Sequence, residues 1–156
     1  MKKALLLTGV GFLFSSTQVL AHGYELGALK VGHPWTRAMV PAQATAAGYL
    51  SVQNTGKVAD RLLGATTPEA ARVEMHVSRI EKDIAKMREV KAFDIVPGDT
   101  LKLEPGGAHL MLVAPKRVFK AGERVPLTLR FERAGELNVE LSVEAQRPSS
   151  TETHQH

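Results

Sequence analysis

Beyond the first 21 residues, hydrophobic positions recur mostly at every second place, the spacing that sets alternate side chains on one face of a half-buried strand. In RVPLTLRFE, Val125, Leu127, Leu129 and Phe131 alternate with Pro126, Thr128, Arg130 and Glu132. In ELNVELSV, Leu137, Val139, Leu141 and Val143 alternate with polar residues, and Ala134-Gly135 before it predicts a hairpin turn. Upstream, ALKVGHPW and AAGYLSVQN are weaker strands, the second closed by Asn54-Thr55-Gly56. VPGDTLKLEPGG sets Leu101 and Leu103 on one face between two Pro-Gly turns. Short strands bounded by such turns predict an antiparallel sandwich or a Greek-key barrel.

Two segments depart from this period. In SRIEKDIAKMREV, Ile80, Ile84, Met87 and Val90 fall at helical spacing, with no Gly or Pro to interrupt them. TPEAARVEMHV suits the start of a short helix, with Thr67 as cap and Pro68 in the first turn.

The opening MKKALLLTGVGFLFSSTQVLA has two lysines, an apolar run and Val19-Leu20-Ala21, which predicts a signal peptide over 1–21, cut after Ala21, and export to the periplasm. Its apolar stretch from Ala4 to Phe14 is shorter than the roughly 20 residues that span a bilayer. The mature chain is expected to form one domain over 22–147 and a polar, disordered tail over 148–156. Without Lys2 and Lys3, 18 basic residues face 16 acidic ones, a balance with no basic block that would suggest nucleic acid or a stable hold on a membrane. The chain has no cysteine, so it lacks both disulfides and thiolate ligands.

That absence sharpens the chemistry of GGAHLML. If HLMLVAP is a strand, His109, Met111 and Val113 share one face, and Leu110, Leu112 and Ala114 the other. A lone histidine or methionine is usually structural, yet three of the four methionines beyond Met1 fall in one 37-residue window with two of the six histidines. The window runs Met75-His76, ten residues, Met87, twenty-one residues, His109-Leu110-Met111.

This spacing resembles the periplasmic copper chaperones of the PCu(A)C type, whose motif is matched without gap or substitution. The likeness extends to HPWTRA, AAGYLSVQN, DRLLGATTPEAARVEMH, MREV, EPGGAHLML and VPLTLRFERAG. It implies an all-β, cupredoxin-like Greek-key barrel that binds Cu(I) through His76, Met87, His109 and Met111. It also implies delivery of copper to an acceptor in cytochrome c oxidase assembly, either oxidase subunit II or another copper chaperone. Two features depart from the family: VSRIEKDIAK stands where a glycine turn is common, and the tail carries His154 and His156. Because Met87 must face His109 for the site to exist, two strands with a tight reversal are expected over 77–90 in place of a helix.

Two thioethers and two imidazoles form a neutral, soft donor set suited to Cu(I), whereas zinc would favour thiolate or carboxylate. A blue-copper carrier and a binuclear copper centre both need a cysteine thiolate. An enzyme lacks an evident nucleophile and base, and storage or detoxification would use the same ligands as delivery. A metal-free interaction module is the remaining alternative. The protein is expected to be a monomer and not an enzyme. Met75, on the opposite strand face from His76, is not expected to ligate. Trp35 is expected to pack in the core or at a barrel end. Finally, His154, His156 and the new N-terminus at His22 offer nitrogen donors for a separate Cu(II) site, the alternative being a solvated tail without a role.

Overall fold

The computed structural model describes residues 23–146. Its strands are β1 (Tyr24–Leu26), β2 (Leu29–Arg37), β3 (Thr45–Asn54), β4 (Asp60–Thr66), β5 (Ala70–Glu81), β6 (Ile84–Glu89), β7 (Phe93–Ile95), β8 (Thr100–Leu103), β9 (Ala108–Pro115), β10 (Arg124–Phe131) and β11 (Glu136–Glu144). Among the described residues there is no helix. The strands form one sheet in the order β6-β5-β9-β3-β2-β11-β10-β4-β7, with β1 on β2 and β8 on β3. This out-of-sequence order is the mark of Greek-key crossings. The expected all-β, cupredoxin-like fold is what the chain adopts.

Alternation builds the core directly. Val125, Leu127 and Leu129 stand opposite Leu141, Val139 and Leu137 across the β10–β11 ladder. All of these except the partly buried Leu137 join Leu50, Val52, Leu110 and Leu112 in a single buried apolar cluster, against which Leu137 packs. Asp60 is also buried, and its carboxylate accepts hydrogen bonds from the backbone N–H groups of Arg61, Arg133 and Ala134, which offset its desolvation. Gly135, at φ 94, turns the β10–β11 hairpin as expected.

One long strand organises the region of interest. Residues 45–48 of β3 pair with β9, while residues 50–53 pair with β8. The strands β8 and β9 therefore run in line along β3, separated by the excursion Glu104-Pro105-Gly106-Gly107. Gly106 has φ 82, a conformation that a side chain would strain.

The structure bears out the two strands and tight reversal expected after His76, against the helix that local spacing suggests, and corrects the short helix expected from Thr67. Residues 79–90 are strand, turn and strand, with Lys82 and Asp83 at φ 51 and 63 forming a two-residue reversal. A helix there would have needed a surface on which to bury its stripe, yet Ile80, Ile84 and Met87 are 80%, 61% and 53% exposed. The ladder between β5 and β9 carries the chain onward as a strand, as a site joining Met87 to His109 requires. At Thr67 the side chain accepts from the Glu69 N–H and donates to the Pro126 carbonyl, which caps a turn leading straight into β5.

Candidate metal centre

The adjacent strands β5 and β9 bring the two histidines together. His76 stands directly opposite His109, and their ring centroids are 5.7 Å apart with planes tilted by 48°. Metal to imidazole bonds of about 2.0 Å put each ring centroid roughly 3 Å from the metal, so two rings on one ion have centroids about 5–6 Å apart. The pair has the spacing for a shared ion.

Each imidazole is fixed by one nitrogen and free at the other. The Nδ1–H of His109 donates to the Gly107 carbonyl at 3.1 Å, and because a carbonyl only accepts, Nε2 keeps the lone pair. This is why the glycine excursion precedes the histidine: it turns a carbonyl back onto the ring. In His76, Nε2 lies 3.0 Å from Glu74 Oε2, while Arg72 Nε donates to Glu74 Oε1 at 2.6 Å. Arg72 first, and then His76, hold the Glu74 carboxyl below its ordinary pKa, so it is ionised and accepts from the imidazole. In the neutral ring this leaves the lone pair on Nδ1, which is buried without any hydrogen-bond partner. A buried unpaired acceptor is costly in a metal-free fold and suits a metal ligand.

Met111, on β9, stands opposite Glu74 of β5 and Ala47 of β3, which places it on the same sheet face as the histidines, one step along. Leu110 and Leu112 point the other way, into the core, as expected. Ala114 departs from the expected alternation: it is exposed, with φ 49, where β9 becomes irregular. Met75 is 5% exposed and belongs to the core, consistent with its exclusion. Met87 lies opposite Ser78 on β6, sharing the His76 face but displaced toward the hairpin tip. The fold thus joins His76 and His109, sets Met111 beside them, and leaves Met87 as the outlying member. His22, His154 and His156 lie outside the described residues. Among the described residues, no group of three or more His, Cys, Asp or Glu could hold a metal ion, and the thioether that register sets beside the histidine pair is that of Met111.

Glu74, Arg72 and the Gly107 carbonyl are not among the residues expected from sequence. The signal for two of them is present there: Arg72, Glu74 and His76 alternate on one strand face.

Of the two placements expected for Trp35, core or barrel end, the core is ruled out: it is not part of the apolar cluster. It is half-buried, stacks on Tyr49 at 4.7 Å between centroids, and lines an outer groove of about 370 Å³ with His33, Arg37, Pro105 and Glu144. Trp35→Ala is therefore expected to cost about 1–2 kcal/mol, less than the 3–5 of a fully buried aromatic. Thermal melting measures this, and a loss of several kcal/mol would return Trp35 to the core.

A profile of the family described as "Putative lipoprotein LpqE-like" matches residues 29–143. Among curated proteins, "Putative lipoprotein Lxx21020" of Leifsonia xyli subsp. xyli (strain CTCB07) is 34% identical over 70% of this chain and 65% of its own length. "Uncharacterized protein RP573" of Rickettsia prowazekii (strain Madrid E) is 25% identical over 64% of this chain and 57% of its own. The chain thus spans less than two thirds of either curated relative. Among solved structures, the "Copper-bound PCuAC domain from PmoF2" is 30% identical with a TM-score of 0.70, covering 80% of this chain and 99% of that one. The "Solution structure of CuI-DR1885 from Deinococcus Radiodurans" is 27% identical with a TM-score of 0.61, covering 83% of this chain and 85% of that one. The fold is that of a PCuAC domain, and the chain belongs to the LpqE-like family.

Proposed function

We propose that this protein is a periplasmic copper chaperone that carries Cu(I) on His76, His109 and Met111, with Met87 as the fourth donor, and passes it on for assembly of the copper centre of cytochrome c oxidase. One observation carries the reading: two facing imidazoles are each held by one nitrogen, and that of His76 keeps its other nitrogen buried and unpaired. The likeness to copper-bound PCuAC domains supports copper as the cargo.

The chemistry of the donors stems from their softness. Thioether sulfur and neutral imidazole together favour d¹⁰ Cu(I) over Cu(II) or zinc. Arg72 and Glu74 orient His76 through a carboxylate, a support that also raises the basicity of the ring. On a flat sheet the four steps from Glu74 to Ser78 span about 13 Å, so Met87 and Met111 flank the histidines at a distance. No residue of β6 is buried, and two-stranded ribbons twist strongly, so the hairpin is free to wind Met87 over His76. A ligand on an exposed ribbon suits a carrier that must release its metal.

X-ray absorption of the Cu(I) form is expected to show sulfur and nitrogen scatterers together. A shell of nitrogen and oxygen alone would contradict the assignment. The histidines at 22, 154 and 156 are proposed to form a separate Cu(II) site, which truncation after Pro148 should weaken while leaving Cu(I) binding intact.

A further inference from the structure

The β5–β6 hairpin carries more than one candidate ligand. Arg79 stands directly opposite Lys86, and Arg88 follows Lys86 on the same face of β6. Like charges facing each other across strands are destabilising, and Glu81 pairs only with Lys86, at 2.9 Å. Arg37, Arg130 and Arg133 have no carboxylate partner among the described residues, and neither do Arg79 and Arg88, which stand together with Lys86 on one face of the hairpin. These three cations line a shallow groove of about 190 Å³ together with Val77, Glu81 and Met87. Met87 alternates with Lys86 and Arg88, so it borders this groove from the other face of the ribbon.

The tip adds exposed apolar surface. Ile80, Ile84 and Met87 are three of the six large hydrophobic side chains left exposed among the described residues. The strand β6 is also a sheet edge with no buried residue. Charged residues on such an edge deter pairing with other strands, but Ile80 and Ile84 do nothing for solubility. Ile84 shares the face of the cations while Ile80 and Met87 lie on the other, so unpaired cations and exposed apolar side chains meet around the open edge of the hairpin.

We propose that this hairpin is the docking element for the protein that exchanges copper with this one, and that the partner presents acidic residues around an apolar patch. The partner grips the open edge of the hairpin: its carboxylates complete Arg79 and Arg88 beside Ile84 on one face, and its apolar patch wraps over the edge onto Ile80 and Met87 on the other. Charge complementarity of this kind governs encounter rate and orientation more than final affinity. The proposal rests on the copper-carrier reading and adds the chemistry of its partner.

The test uses the full chain loaded with Cu(I) and two synthetic acceptor peptides with the same dithiol Cu(I) site, one flanked by acidic and one by basic residues. Stopped-flow transfer at low salt is expected to be about tenfold faster to the acidic peptide, with the preference lost at high salt. In an Arg79→Glu/Arg88→Glu variant the preference should vanish or invert while Cu(I) affinity is unchanged. A Lys57→Glu/Lys120→Glu variant, with the same change in net charge away from the hairpin, should keep it. Equal rates to both peptides, or equal loss in the remote variant, would overturn the proposal. So would hairpin-dependent binding to anionic phosphatidylglycerol vesicles without any peptide preference, which would make the patch a lipid contact. Cu(I) uptake by the unmodified chain, measured before any peptide is added, separates these failures from failure of the carrier reading itself.

Discussion

His76→Leu is expected to leave the metal-free protein as stable as the wild type or more so, and to abolish its stabilisation by Cu(I). The unpaired Nδ1 of His76 is buried in the metal-free fold, and a buried polar atom without a partner costs about 1–3 kcal/mol. Leucine removes that cost while Arg72 still holds Glu74. In the wild type, Cu(I) at about 1,000 times its Kd should add roughly 4 kcal/mol, on the order of 15 °C in Tm for a domain of this size. Loss of one of two facing imidazoles should reduce that rise to near zero under the same conditions. Thermal melts of both proteins with and without Cu(I) measure the two effects together. A copper-dependent rise of wild-type size in the variant would remove His76 from the site. A metal-free variant several kcal/mol weaker would mean that the imidazole is structurally satisfied.

How far the sequence discloses this arrangement depends on the range of the interaction involved. The β10–β11 hairpin is legible because alternation and the Ala134-Gly135 turn are both local. So are the opposite faces of His109 and Leu110, which alternation alone determines. Over 79–90 the local period alone points to a helix, because Ile80, Ile84 and Met87 fit it by position, whereas β5 leaves its ladder with β9 at Val77 already extended and pairs onward with β6. The facing of His76 and His109 depends on β9 lying between β3 and β5, a neighbourhood set by packing that no local pattern encodes. Family spacing points to the pair, but not to the Gly107 carbonyl or the Glu74 carboxylate that orient it. Trp35 misleads for another reason: aromatic size suggests burial, yet its register with Tyr49 turns it to the outer face.

Leu110→Ala and Met111→Leu, at adjacent positions, should fail in opposite ways. Leu110 is fully buried and faces Gly48 and Met75 across its two neighbouring strands, so its truncation opens a cavity at the centre of the β5-β9-β3 layer. The expected loss is about 2–5 kcal/mol, a large part of the 5–15 that holds a typical domain together. Below its lowered Tm, the variant should still bind Cu(I), because His109 and Met111 project from the other face of the same strand. Met111→Leu keeps volume and apolarity at a partly exposed position, so its cost in stability should stay below about 1.5 kcal/mol. It removes a soft donor, however, and Cu(I) affinity should fall by at least about tenfold, equivalent to 1.4 kcal/mol. Chemical denaturation and competitive Cu(I) titration of the two variants give four numbers with a crossed pattern. Unchanged affinity in Met111→Leu would make Met111 a packing residue. Copper binding lost with folding still intact in Leu110→Ala would show that the outer face of β9 depends on the core beneath it more than a period of two requires.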